Sequence, residues 1–401
     1  MCKGAGKMNV IRRVQIALII ILFLGCVPLS GAEAARYSDV PETHWSAKEV
    51  YYLSDLGVLK GGSNGKFNKD APVTRAQAAA ILVRAKKLPL DNVPNPGFKD
   101  VPTSHPFYKE IAAAVNAGWF SKAGSFNPNG QLKRVEMAKI TAAAFSLSGS
   151  VPVEWEDMAR AHWGTPYVSS LVANGITAGY TATKYQPSGV VTRAQFAVFT
   201  ARALNSKFRM NIVAYPKKAA QGIFYPQFKD TEGVRDFALL NEEYAEVGRE
   251  LVSIRKEVMD LAKEDSSLGK YYQYTVSYKV TRADASYTSV VFESYQYTGG
   301  AHGYEQLFSY NYDVKKEDFM SLDDLAQKQG YKRAVIDRIN AQAYALAKKG
   351  RISWEGLESL NEHQQQFYMT NTGFVMYFNP YEYGPYSDGI REFALPYSLV
   401  R

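Results

Sequence analysis

Arg75, Arg134 and Arg193 are separated by 59 residues each time, and each stands in nearly the same phrase: Thr74-Arg75-Ala76-Gln77, Lys133-Arg134-Val135-Glu136 and Thr192-Arg193-Ala194-Gln195. A fixed period of this length marks a tandem repeat. It constrains the fold more than any other feature, because a unit this short cannot bury its apolar face alone and copies must pack into one body.

Each unit opens with an aromatic residue and an acid: Tyr37-Ser38-Asp39-Val40, Phe98-Lys99-Asp100-Val101 and Trp155-Glu156-Asp157-Met158. A second aromatic follows, Trp45, Phe107 or Trp163, with His44, His105 or His162 ahead of it. Apolar spacing then predicts a short helix closed by Gly57, Gly118 or Gly175. A loop leads to Phe67-Asn68, Phe126-Asn127-Pro128 or Tyr185-Gln186-Pro187, and the arginine phrase starts a second, alanine-rich helix over 76–85, 137–145 and 196–204.

Thr74 with Gln77, and Thr192 with Gln195, have capping-box spacing, which puts Arg75 and Arg193 at the first helical position. A cation there opposes the positive end of the helix dipole by roughly 0.3 to 1 kcal/mol unless an anion compensates. Two anions are open at this point. One is internal, Asp39, Asp100 or Asp157 from the head of a repeat; the other is a ligand carboxylate or phosphate held by helix amides and the guanidinium fork. The three histidines occupy one equivalent position in three separate units, so they stand around a ring rather than at one metal, and packing or capping is the expected role. Trp45 and Trp163 are expected to give their rings to the core and an edge to a groove.

The ordered set of aromatic-x-Asp-Val, Trp, Gly-Val or Gly-Ile, aromatic-x-Pro and Thr-Arg-Ala-Gln resembles the S-layer homology repeat over about residues 37 to 205. That resemblance implies an all-α, pseudo-threefold helical repeat bundle. It also implies non-covalent anchoring to the bacterial envelope by binding a pyruvylated secondary cell-wall polysaccharide in grooves between repeats. Carried onto this chain, the groove residues are Arg75, Arg193, Asp39, Asp157, Trp45, Trp163, Gly61 and Gly179, with Arg134 and Asp100 surviving in a second repeat that departs from the pattern. There Lys133 replaces the capping threonine, Phe107 the tryptophan and Lys122 the glycine. One weakened groove and two intact ones are therefore expected, with Arg134 the least secure arginine.

Residues 1–34 carry Lys3, Lys7, Arg12 and Arg13, an apolar run of about 12 residues from Ile16 to Val27, and a small-x-small exit at Ala32-Glu33-Ala34. This reads as a secretory signal peptide, and the run falls well short of the roughly 20 residues of a permanent membrane span. A rival reading takes Phe23-Leu24-Gly25-Cys26 as a lipidation box; Phe23 and Leu24 fit it poorly. Cys2 and Cys26 both lie in this segment, so the mature chain is expected to have no disulfide or thiol chemistry. Removing it leaves 43 basic against 38 acidic residues, a mild excess that suits an anionic partner. No basic run or binding motif points to nucleic acid, and no motif calls for a cofactor.

From Asn205 the repeat signals stop. Residues 234–261 read as one amphipathic helix; Tyr274 to Val280, Gln306 to Tyr312 and Phe374 to Phe378 as strands; Tyr331 to Lys349 as a helix stopped by Gly350. The whole is thus multidomain: repeats over 35–90, 91–150 and 151–205, then an α+β domain over 206–401. Tyr297-Thr298-Gly299-Gly300-Ala301-His302-Gly303, with Tyr225-Pro226-Gln227, Ser321-Leu322-Asp323-Asp324-Leu325 and Leu395-Pro396-Tyr397, resembles a domain-of-unknown-function family. That family occurs in the extracellular part of a lysozyme-sensing anti-sigma factor and in the non-catalytic part of some peptidoglycan deacetylases. It implies binding of peptidoglycan or another wall glycan, or of a lysozyme-like protein, and no catalysis. The competing reading is a wall-anchored peptidoglycan hydrolase or deacetylase using His302 or His363 with Asp313, Asp323, Asp324 or Glu358; no Gly-x-Ser-x-Gly, His-Glu-x-x-His or cysteine nucleophile supports it. The expected setting is secreted, at the cell wall or in a surface layer.

Overall fold

The computed structural model describes residues 36–62, 64–122, 124–360 and 366–401. The leader, both cysteines and His363 lie outside the described residues. Helices come first and a β-rich part with antiparallel sheets follows.

The repeats supply three pairs of helices: α1 (Ala47–Asp55) and α2 (Arg75–Lys86), α3 (Tyr108–Asn116) and α4 (Arg134–Ala144), α5 (Thr165–Ala173) and α6 (Arg193–Leu204). The first of each pair is short and amphipathic, while the second is apolar almost all round; Ala76, Ala78, Ala79, Ile81, Leu82 and Val83 of α2 are all buried. A helix apolar on every side belongs inside a bundle. Thr74 and Thr192 cap α2 and α6 with both halves of the capping box. In α4 only one half is made: Glu136 accepts the Lys133 N–H, and the lysine side chain offers no acceptor in return.

Packing passes from each repeat to the next. Helix α2 packs on α3, α4 on α5, and α6 returns to α1. The strand-like segments before the second helices bond in a closed cycle: the Val73 N–H donates to Val191 O, Val191 to Leu132 O, and Leu132 to Val73 O, each at 2.9 Å. One continuous apolar core runs through all three units.

Beyond them, β1 (Ile212–Ala220) and β2 (Ile223–Asp230) form a hairpin. Its continuous buried run and the facing prolines Pro216 and Pro226 hide it from an alternation test. The expected helix over 234–261 is α7 (Ala238–Glu264), starting four residues later. The Asp230 carboxylate takes the N–H groups of Glu232 and Arg235 and holds that approach as a turn, leaving Val234 in solvent. Helix α7 packs on β2 and on one face of a sheet ordered β3 (Gln273–Ala283), β4 (Tyr287–Tyr297), β5 (Tyr304–Asp313) and β6 (Asp318–Phe319). A last core gathers α8 (Leu322–Leu325), α9 (Tyr331–Ala347), β7 (Phe367–Met369), β8 (Gly373–Phe378) and β9 (Arg391–Pro396) around Trp354. Ser289, on β4, ties this core to the sheet by accepting the Met369 N–H in its hydroxyl.

Candidate functional site

The three early aspartates do the same local job. Asp39 accepts the N–H groups of Phe67 and Lys69 at 2.7 and 3.0 Å, Asp100 those of Phe126 and Asn127, and Asp157 those of Tyr185 and Gln186. These bonds fix the turn at the end of each loop. Burial pushes the Asp39 carboxyl up, but the backbone bonds outweigh it and hold the group below its usual value. For Asp100 the Phe126 bond is itself the largest influence, and the value is again lowered.

The arginines reach across repeats. Arg75 Nε donates to Phe126 O, Arg134 Nε to Tyr185 O and Arg193 Nε to Phe67 O, at 2.8, 2.9 and 2.8 Å. The residue whose carbonyl an arginine grips is thus one whose N–H an aspartate holds, and each arginine reaches the aspartate-bound turn of the following unit. This regroups the expected sites, which had each arginine working with its own repeat. The proximal amides of the helices are also occupied: Arg193 and Ala194 donate to Ala71 O and Lys69 O, and the other two helices repeat the arrangement. An anion in these grooves would meet a guanidinium, not open helix amides.

The three settings differ. Arg134 is 4% exposed, lies under the rings of Tyr180, Tyr185 and Phe199, and its buried Nη2 has no hydrogen-bond partner. Arg75 is half-buried, with the Glu136 carboxylate 3.6 Å from its Nη1. Glu136 stands where the other repeats have Gln77 and Gln195. Arg193 is half-buried over the Phe67 ring and gives Nη2 to Lys60 O at 2.9 Å; among the described residues no carboxylate is within ion-pair distance of it. The position of Tyr180 is Gly62 in the first repeat, which brings no ring to Arg193. Tyr180 and Glu136 were not singled out from sequence; aligning the repeats would have exposed both.

Trp45 and Trp163 are 61% and 53% exposed, which overturns the expectation that their rings join the core. The buried indoles of the repeats are Trp119 and Trp155. Backbone bonds also correct the repeat alignment: Ala47, Tyr108 and Thr165 donate to the carbonyls of His44, His105 and His162, so Pro106, not Phe107, takes the tryptophan position. Each histidine ring accepts the N–H two residues on, at 3.3, 3.1 and 3.1 Å, a capping role. Trp45 precedes α1, which packs on the helix begun by Arg193. Gly61 and Gly179 make room for aromatic heads, since a Cβ there would stand 2.4 Å from the Tyr37 ring and 2.6 Å from Trp155. Lys122 replaces that glycine opposite the smaller ring of Phe98.

In the second half, His302 stacks on Tyr386 at 3.7 Å, its Nδ1 on Gly303 O and its Nε2 on the Tyr381 hydroxyl. Asp313 accepts turn amides, Asp324 closes the Ser321 cap, and Asp323 binds Tyr331 and Lys332. None of these acids is brought to His302. Among the described residues no group of three His, Cys, Asp or Glu is arranged for a metal, and no helix is long and apolar enough to cross a membrane.

Residues 36–79, 97–138 and 156–197 match the S-layer homology domain, 205–305 match the family described as deacetylase PdaC, and 322–398 match the protein of unknown function DUF3298. The chain is 33% identical over 184 residues to an S-layer protein of Bacillus thuringiensis subsp. finitimus, covering 44% of this chain and 22% of that one. It is 34% identical over 266 residues to the surface-layer 125 kDa protein of Lysinibacillus sphaericus, covering 63% and 21%. It is 27% identical over 184 residues to the peptidoglycan-N-acetylmuramic acid deacetylase PdaC of Bacillus subtilis (strain 168), covering 44% and 37%. The chain thus carries three S-layer homology repeats followed by PdaC-like and DUF3298 segments, and spans about a fifth of the length of the surface-layer relatives.

Proposed function

We propose that this protein is exported to the bacterial cell surface and held there without covalent bonds. In this reading the three repeats form a pseudo-threefold bundle that binds an anionic, pyruvylated secondary wall polysaccharide, and residues 206–401 are a non-enzymatic module presented to the wall. The closed hydrogen-bond cycle of Val73, Leu132 and Val191 supports the bundle. The relatives named as surface-layer proteins support the location.

The observation that carries the anchor is the setting of Arg193. Its guanidinium is fixed in direction by two backbone carbonyls, lacks a carboxylate partner among the described residues, and stands on the helix packed against the one that Trp45 precedes. A fixed cation on one of two packed helices and an exposed indole at the head of the other suit an acidic polysaccharide, which can give a carboxylate to the one and a ring face to the other. Arg75, already faced by Glu136, is the weaker site, and Arg134 beneath Tyr180 is a structural cation.

Sedimentation of the full chain with purified wall sacculi tests this. Binding should disappear when the polysaccharide is extracted and fall about tenfold or more for Arg193→Ala, the loss of one charge-assisted pair. Unchanged sedimentation in both cases would sink the anchor.

A further inference from the structure

Helix α7 covers only part of the sheet beneath it. Along and beside the helix, alternate residues of β5 present Tyr304, Gln306, Phe308 and Tyr310 to one face, as the period of a strand requires, with Tyr310 edge-on to Tyr244 of α7. Tyr304 is 40% exposed, and Phe308 and Tyr310 are half-buried. Phe308 is held flat against Phe292, ring centroids 5.0 Å apart and planes 2° from parallel, so the aromatic floor is rigid.

Two clefts meet on this floor, one of about 360 Å³ against α7 and one of about 580 Å³ that turns over the β5 edge toward β7 and β8; both are lined by Gln306, Phe308 and Tyr310. Their walls carry Glu243, Glu250 and Glu382, and neither lining includes a lysine or arginine. No hydrogen bond within the described residues occupies the Gln306 amide or the Glu243 and Glu250 carboxylates.

We infer that this groove is a binding site for a glycan strand without acidic groups, built of uncharged N-acetylated hexosamines or of hexosamines with free amines. Aromatic faces take the C–H faces of sugar rings, and unpaired amides and carboxylates take hydroxyl and acetamido groups in both senses. The charge pattern selects the polymer: carboxylates of Glu243, Glu250 and Glu382, with no lysine or arginine in either lining, repel an acidic chain and favour an ammonium, the reverse of the arginine grooves. The protein would then hold two chemically opposite wall polymers at its two ends. This rests on the reading of residues 206–401 as a binding module.

Calorimetric titration of the full chain tests it with tetra-N-acetylchitotetraose, its fully deacetylated form, and tetragalacturonate as the acidic control. The first two should bind and the third should not. Tyr304→Ala and Gln306→Ala, both at exposed positions, should each weaken binding about tenfold. Glu250→Gln should narrow the gap between the amine and acetylated forms. Equal binding of tetragalacturonate, no heat from either chitotetraose, or unchanged affinity in both variants overturns the inference. Arg193→Ala keeps it distinct from the anchor: that variant should lose wall sedimentation and still bind chitotetraose, and loss of both would place the sugars in the repeat grooves and overturn the inference.

Discussion

At the scale of single residues, the aspartates and arginines of the repeats are two ends of one device, joined through a single residue that is held at its N–H by the acid and at its carbonyl by the cation. Asp39 and Asp100 have lowered carboxyl values, so their stabilising effect is complete above the ordinary carboxylate value of about 4 and is lost as pH falls through the folded value. Asp39→Ala removes two charge-assisted bonds and should cost about 2 kcal/mol at pH 7, with the gap to the parent shrinking toward pH 3. Denaturant unfolding at the two pH values checks this, and a constant gap would contradict it. Arg134→Ala separates structure from binding. Losing a buried side chain that holds Tyr185 O should cost about 3 kcal/mol, while the folded fraction still sediments with wall sacculi like the parent.

At the scale of elements, α4 is the least well begun of the three second helices. Lys133→Thr would restore the missing acceptor and should raise stability by about 1 kcal/mol, read as a shift in the urea midpoint at constant slope. The capping threonines, the repeat helices and their glycine stops were legible because they rest on local geometry, which a short phrase records. The strands read over 274–280 and 306–312, which fall inside β3 and β5, were legible through alternation, and α9 through its period. The β1–β2 hairpin was not, because its strand is buried on both faces and carries a proline. The exposure of Trp45 and Trp163 was not either, since indoles at fixed repeat positions normally fill cores and only the neighbouring repeat decides which way they face. The link from Arg193 to Asp39 through Phe67 spans more than 150 residues and closes a ring, a relation that no local window contains.

At the scale of the molecule, the boundary suggested by composition at residue 205 cuts through a packed region. Val213 and Tyr215 of β1 are buried in the same apolar core as the repeats. Met210 donates its N–H to Gly175 O, and Glu154, at the head of the third repeat, accepts the Lys218 N–H and pairs with Lys217. Farther along, the Tyr278 hydroxyl on β3 bonds Ala182 O in the loop that carries Tyr180. The hairpin is thus mortar between the halves, and burying one such apolar side chain contributes on the order of 1.5 to 3 kcal/mol. A chain ending at residue 205 should therefore melt several degrees below one ending at 232, and the longer piece should gain further when the rest is present. Differential scanning calorimetry of the three lengths decides it. Coincident repeat transitions would mean that the two halves are independent beads, and that a load on the second half could not be felt at the loop over Arg134.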